Sequence, residues 1–101
     1  MQITVTGKHL EVTQPIHDYA EKRVAKLARY FDRTRQLEVL IDKADHGKLV
    51  VEFIAHVDHS NPLVAKVAGT DLYAAIDDAT EKMERQLTDH KEKVRNRKHV
   101  G

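Results

Sequence analysis

Basic side chains recur about one helical turn apart in the first third of the sequence. Between positions 22 and 35, six basic residues stand against a single acid, Asp32. At 100° per residue, four of the six fall within about 60° of one another on a helix; these are Lys22, Lys26, Arg29 and Arg33. An exposed helix face usually mixes charges, whereas Lys22 and Lys26 repel each other at their four-residue spacing. The row is either a solvated face or, as we favour, a row of phosphate contacts.

A second basic set lies near the end of the sequence. From Glu81 to Gly101 there are seven basic residues against four acidic ones. One flank of a second helix would carry Lys82, Gln86, Lys93 and Arg97, with Arg85 beside them and Asp89 interrupting them. Two such helices, side by side on one sheet, would present two roughly parallel basic stripes with a groove between them. A groove of this kind suits the curved backbone of RNA better than it suits the reading of bases.

The net charge of the chain does not reveal the two basic segments. The formal net charge is only +1, because positions 38 to 58 carry five acids against two lysines. Two basic segments and one acidic segment indicate that a polyanion meets one particular face of the molecule. Most of the few aromatic side chains fall at core positions, so we do not expect a sheet surface that stacks bases.

The residues that could support catalysis or bind a metal form no recognisable site. His56, Asp58 and His59 are the closest group of possible zinc ligands, but no fourth ligand lies near them in the sequence. Asp77 and Asp78 diverge by about 100° on a helix, so they cannot share a proton. The chain has no cysteine, and its one serine and 4 glycines form no catalytic or phosphate-binding motif. We therefore expect no enzyme, no metal and no cofactor.

The first two elements that position these residues follow from periodicity. Ile3 and Val5 alternate with polar neighbours, which predicts a short strand. Thr13 is the predicted N-cap of a helix with Pro15 in its first turn. Apolar residues at helical spacing then continue to about Phe31, where we expect this helix to end.

Three strands and a second helix follow. The clearest strand is 49–57, in which apolar and polar side chains alternate, and the runs 37–41 and 63–67 predict two others. Thr70 or Asp71 would cap a helix of about 25 residues. These elements predict an α+β fold of order β-α-β-β-β-α, with a four-stranded sheet and two helices packed on one of its faces.

The chain has 101 residues, a length suited to one core. We expect a single domain over residues 1–95 and a flexible basic tail over residues 96–101. No apolar run approaches the length of a membrane span, and the residues after Met1 do not form a signal peptide. We therefore expect a cytoplasmic protein without a membrane partner.

Several segments resemble bacterial ribosome hibernation-promoting factors of the short form. Residues 25–27 (AKL) and 30–33 (YFDR) are similar to the end of that family's first helix. The run 69–77 (GTDLYAAID) resembles the family signature G-x-D-[ML]-Y-x-A-I-[DN] at the start of the second helix, and residues 84–87 and 90–91 are similar to its C-terminal helix. The resemblance covers essentially the whole chain in the same element order. The family also includes ribosome-associated inhibitor A and the sigma-54 modulation proteins.

The resemblance implies a fold like that of double-stranded-RNA-binding domains. It implies binding to the small ribosomal subunit and its 16S rRNA, in the channel used by mRNA and tRNA, with ribosomal proteins as further candidate partners. Bound there, the protein would block translation in stationary phase and favour inactive ribosomes, and away from the ribosome it would be a monomer. The expected RNA-binding residues are Lys22, Arg23, Lys26, Arg29, Arg33, Lys82, Arg85, Gln86, His90, Lys91 and Lys93.

Two other interpretations stay open. An acidic peptide of the transcription machinery could occupy the same basic groove, as the sigma-54 name suggests, and the protein would then be a protein-interaction module. The histidines could also belong to a small enzyme.

Within the family signature we favour structural roles over RNA contact, with Asp71 capping the helix and Tyr73 packing its ring.

Overall fold

The computed structural model describes residues 1–95 with their side chains and the helical backbone of residues 96–100. In chain order, its elements are β1 (Gln2–Lys8), α1 (Gln14–Tyr30), β2 (Thr34–Lys43), β3 (Leu49–Val57), β4 (Leu63–Gly69) and α2 (Leu72–Val100), with a short 3-10 turn (Asp45–Gly47) between β2 and β3. The predicted order β-α-β-β-β-α is confirmed. The predicted flexible basic tail, residues 96–101, falls outside the fully described residues and stays a prediction.

The four strands form one mixed sheet in the order β1-β2-β3-β4. β1 runs parallel to β2, with Val5 opposite Val39, and α1 supplies the crossover connection that a parallel pair needs. The other neighbours are antiparallel, so that Phe53 of β3 lies between Val39 of β2 and Ala65 of β4. β1 and β4 are the two edges of the sheet.

Both helices cover the same face of the sheet, as the sequence predicts. On the two central strands, side chains that point to this face are buried, among them Val39, Ile41 and Phe53. The residues that alternate with them, such as Glu38 and Glu52, are only partly buried. Because successive strand residues point to opposite faces, one face of the sheet forms the core and the other stays uncovered. On the covered face α1 lies over β1 and β2, and α2 lies over β3 and β4.

The ends of α1 lie where the sequence predicts them. The Thr13 Oγ1 atom accepts a hydrogen bond of 3.4 Å from the backbone N–H of Ile16, and a proline occupies the first turn. At the other end, the Phe31 N–H donates to the carbonyl of Leu27 at 3.1 Å and the helix stops at Tyr30. The whole of the cationic row up to Arg29 therefore lies on one regular helix.

Asp71 caps α2, so one of the two predicted cap residues is the cap. Its Oδ1 atom accepts hydrogen bonds from the backbone N–H groups of Tyr73 at 3.0 Å and Ala74 at 3.3 Å. Beyond the cap, Ile76 and Leu87 belong to the set that anchors α2 on the sheet, where both are buried. The helix spans 29 residues.

Candidate nucleic-acid interface

Three cations of α1 lie on its solvent side. Lys22, Lys26 and Arg29 are all exposed, and the residues that α1 buries lie on its opposite side. Arg33 is also exposed, but it does not continue the helical row, because α1 ends at Tyr30 and Arg33 lies in the turn before β2. The predicted row on α1 therefore has three helical cations and one in the adjoining turn.

Arg23 pairs with an acid of the second helix. Its Nε atom lies 3.1 Å from Oδ1 of Asp77 on α2, and its side chain is only 31% exposed. Its Nε–H has no hydrogen-bond partner among the described residues, so charge attraction holds the pair. The same Asp77 oxygen accepts a 2.5 Å hydrogen bond from the Tyr19 hydroxyl, and the Tyr19 and Tyr73 rings meet edge to face with centroids 4.9 Å apart. Arg23 is thus less available to a partner than the neighbouring lysines.

The Asp77 carboxylate also changes the acidity of Tyr19. The hydrogen bond to the Asp77 side chain raises the pKa of Tyr19 above its ordinary value, and loss of hydration and the negative charge of Asp77 act in the same direction. The hydroxyl, protonated at neutral pH as in any tyrosine, therefore keeps its proton and its bond to Asp77 to a higher pH than usual.

Lys82 and Gln86 face the β4 edge of the sheet and not α1. The Lys82 Nζ atom donates to the backbone carbonyl of Lys66 at 3.3 Å, and Gln86 Nε2 donates to that of Val64 at 2.6 Å. These contacts occupy carbonyl groups of an edge strand, which would otherwise be open to pairing with another chain. The expectation that this flank of α2 lines a groove beside α1 is wrong, because the apolar stripe does not indicate which neighbour each flank meets.

The side of α2 that does face α1 has mixed charge. Asp77 and Lys91 both contact α1, Asp77 through Tyr19 and Arg23, and Lys91 through the Tyr30 carbonyl. Glu84 lies seven residues from each of them and so shares their face. The helix pair therefore presents a basic row on α1 beside a mixed face of α2.

A second cluster of cations lies where α1 ends. The Lys91 Nζ atom lies 3.4 Å from the Tyr30 carbonyl and 5.9 Å from the centroid of the Phe31 ring. Arg33 and His90 line a cavity beside Lys91, and the same cavity is lined by His59 and Arg95, which the predicted site did not include. Arg95 follows Lys91 by four residues, and this spacing on one helix face is a signal that could have identified it. The two remaining predicted residues, Arg85 and Lys93, are exposed on α2.

The group considered as zinc ligands, His56, Asp58 and His59, does not come together at one site. The His56 Nε2 atom lies 2.6 Å from Oε2 of Glu38 on the uncovered face of the sheet. Asp58 pairs with Arg35 at 2.9 Å, and His59 lies in the turn after β3. Within residues 1–95 no group of three or more acidic or histidine side chains could hold a metal ion.

The described helices lack the features of a membrane span. Over the part of the chain that the structure describes, neither helix combines the length and the apolar character that crossing a bilayer requires.

Comparison with known proteins identifies the family. The family whose model matches residues 3–95 is described as sigma 54 modulation protein / S30EA ribosomal protein. The chain belongs to this family. The resemblance seen in the GTDLYAAID segment and its neighbours is thereby confirmed.

Relatives of this S30EA-family chain are similar over most of their length. The ribosome hibernation promoting factor of Azotobacter vinelandii is 38% identical over 93 residues, which cover 92% of this chain and 85% of the relative. The ribosome hibernation promoting factor of Escherichia coli is 36% identical over 97 residues, which cover 94% and 98% of the two chains.

Solved structures agree with this membership. The N-terminal domain of Protein Y from Thermus thermophilus is 32% identical, with a TM-score of 0.73, and the match covers 88% of this chain and 94% of that domain. A ribosomal subunit interface protein from Coxiella burnetii superposes with a TM-score of 0.83 over 90% of this chain and 98% of that one. At 21% identity, this second likeness supports the fold alone.

Proposed function

We propose that this protein is a ribosome hibernation factor that binds the small ribosomal subunit. It would lie in the mRNA and tRNA channel, contact 16S rRNA, block translation in stationary phase and favour inactive ribosomes. The exposed row of Lys22, Lys26 and Arg29 carries this proposal, because positions 22 to 29 of α1 contain no acid. Identities of 36% and 38% to proteins named ribosome hibernation promoting factors support it.

The contact set that we propose is the one predicted from the sequence, ranked by availability. The exposed cations come first, and they are Lys22, Lys26, Arg29, Arg33, Lys82, Arg85, Lys91 and Lys93. Two of these, Lys82 and Lys91, make long contacts with backbone carbonyls, at 3.3 Å and 3.4 Å. Arg23 would have to leave Asp77, and Gln86 the Val64 carbonyl, before they could bind RNA. His90 lines the cavity at the end of α1 and is half-buried.

Occupancy alone accounts for inhibition in this mechanism. A basic surface neutralises phosphates of the channel wall and releases their counterions, so binding needs no covalent step and no cofactor. The family is described as sigma 54 modulation protein / S30EA ribosomal protein, and neither half of that description names an enzyme. A protein that acts on ribosomes in this way would work in the cytoplasm, as a monomer until it binds.

The dependence of binding on salt tests the electrostatic mechanism. The full chain is titrated onto purified small subunits at a series of salt concentrations. If about six phosphates are neutralised, the logarithm of the association constant should fall against the logarithm of salt with a slope of roughly −4 to −5. A slope near −1 would contradict a mechanism based on the basic surface.

A second candidate function follows from the other half of the family's description, which names sigma 54 modulation. In that case the cations of α1 would bind an acidic peptide of the transcription machinery. Sedimentation of stationary-phase lysate separates the two functions. Co-migration with small subunits supports the ribosomal function, whereas co-migration with RNA polymerase supports the second.

A further inference from the structure

A cavity of about 470 Å³ opens at the end of the helix pair. The turn after α1, the turn after β3 and the part of α2 up to Arg95 form its walls. Its apolar lining comes from Phe31, Val57, Leu87 and Val94. Sites for small molecules occupy roughly 300–1,000 Å³ and are mostly apolar with a few polar groups, so this cavity can hold a ligand with a flat ring.

The rim of the cavity carries an excess of positive charge. Its cations are Arg33, Lys91 and Arg95. Two acids, Asp32 and Asp58, also lie there, but Asp58 is already paired with Arg35 at 2.9 Å. The rim therefore favours an anionic group on the ligand.

One polar group at the cavity, the Lys91 ammonium, lacks a strong partner. Lys91 contacts the Tyr30 carbonyl at 3.4 Å and the Phe31 ring at 5.9 Å, both near the upper limit for such contacts, so its ammonium group can turn towards a ligand. A ligand with a hydrogen-bonding edge would meet this group better than a purely apolar one.

We propose that this cavity takes up one unstacked nucleotide of the RNA that the protein binds, an inference that rests on the proposed function. The base packs against Phe31 and the apolar wall, and the phosphate lies at the rim near Arg33 and Lys91. Aromatic side chains stabilise bases of any sequence, and single-stranded RNA loops offer bases that are free to leave the stack. Three cations on one rim match a phosphate better than a single peptide carboxylate.

A cavity-filling variant tests the proposal. Val94 is half-buried at the cavity wall, so V94W fills the space without changing charge. We expect the affinity for small subunits to fall roughly tenfold, the scale of one lost base contact, while the salt slope changes by at most about one, because no more than the phosphate contact of the excluded nucleotide is lost. The matched control is V64W, which places the same side chain at an exposed position on β4, where no change is expected.

The outcomes separate this inference from the function on which it rests. Unchanged binding of V94W, together with loss of binding in the double variant K22E/K26E, would overturn the cavity proposal and leave the proposed function standing. Failure of the unaltered chain to bind small subunits would overturn the proposed function and this inference with it. Thermal unfolding of each variant shows that a loss of binding is not a loss of fold.

A direct titration gives a second measurement. The methyl resonances of Val57, Leu87 and Val94 are followed in the full chain as adenosine 5′-monophosphate is added, with inorganic phosphate and a capped tripeptide of two aspartates around a phenylalanine as comparisons. The nucleotide should shift these methyl groups, and phosphate should not. No shift with the nucleotide, or an equal shift with the tripeptide, would overturn the proposal.

Discussion

At the scale of single residues, neighbouring cations of α1 have different roles. Arg23 is 31% exposed and pairs with Asp77 across the helix interface, whereas Lys22 beside it is exposed. A side chain that already has a counterion loses that partner when it binds a phosphate, and an unpaired one does not. The affinity for a polyanion should therefore depend mainly on the exposed row.

Charge reversal in this row tests that conclusion. The double variant K22E/K26E should lose at least tenfold in affinity for small subunits, because two phosphate contacts become repulsive. Its thermal midpoint should hardly change, since exposed charges contribute about 0–1 kcal/mol to stability. The matched control is K43E/K48E, which reverses two exposed lysines outside α1 and α2. Equal losses in both variants would mean that total charge, and not the position of the row, governs binding.

The Tyr19–Asp77 hydrogen bond predicts a pH dependence of stability. Because the carboxylate raises the pKa of Tyr19 in the folded protein, the folded state holds this proton more tightly than the unfolded chain. The stabilisation is present below the ordinary tyrosine pKa of about 10 and is lost as the pH rises through the raised value. The difference in free energy of unfolding between wild type and Y19F should therefore stay constant below about pH 10 and shrink as the pH rises above that value.

The exposed Tyr30 provides the matched control for this prediction. Its side chain is 69% exposed, so Y30F removes a hydroxyl without removing the contact with Asp77. The difference between wild type and Y30F should stay constant over the same pH range. A constant difference for Y19F as well would show that the Asp77 contact does not stabilise the protonated tyrosine.

At the scale of elements, the two helices differ in how much their N-cap residues stabilise them. Asp71 accepts two hydrogen bonds from backbone N–H groups of α2, while Thr13 accepts one long bond at the start of α1. D71A should lower the free energy of unfolding by about 1 kcal/mol, and T13A by less. T70A removes the other predicted cap residue and should change little, because Asp71 is the cap. Urea unfolding measures all three, and equal effects of D71A and T70A would contradict the assignment.

The sequence could predict these elements because their signals are local. Thr13 and Phe31 bound α1 as expected, and the alternation along β3 indicated which of its side chains are buried, since both patterns depend on residues close in the chain. The flank of α2 that carries Lys82 could not be assigned in the same way. Its neighbour is the backbone of β4, at least 16 residues earlier, and the direction of that contact depends on how the helix lies on the sheet.

The candidate site, like the fold, could be predicted only where its signals lie close together in the chain. Exposure of Lys22 and Lys26 follows from the period of α1, whereas the pairing of Arg23 with a residue of α2 does not. The cavity beside Lys91 brings together three segments from different parts of the chain, so no local pattern indicates it. Such arrangements follow from packing and are visible only in three dimensions.

At the scale of the whole molecule, the charge distribution bears on the inhibition that we propose. A net charge of +1 gives little general attraction to a polyanion, so binding depends on where the cations lie. The basic row lies on the outer surface of the helix layer, opposite the sheet. A domain of this kind can fill a channel with phosphate walls and exclude other ligands from it.

Occupancy of that channel predicts competitive and reversible inhibition. Inhibition of translation should follow the fraction of small subunits that carry the protein and should saturate at one protein per subunit. Excess initiator tRNA, mRNA and initiation factors should move the inhibition curve to higher protein concentrations, because ligands that exclude each other compete by mass action. Ribosomes recovered after a high-salt wash should translate at their full rate, since salt weakens phosphate contacts and occupancy leaves no covalent change. Washed ribosomes that stay inactive, or an excess of ribosomes silenced by substoichiometric protein, would instead point to a chemical modification of the ribosome, with the side chains of His56 and His59 as the first to test.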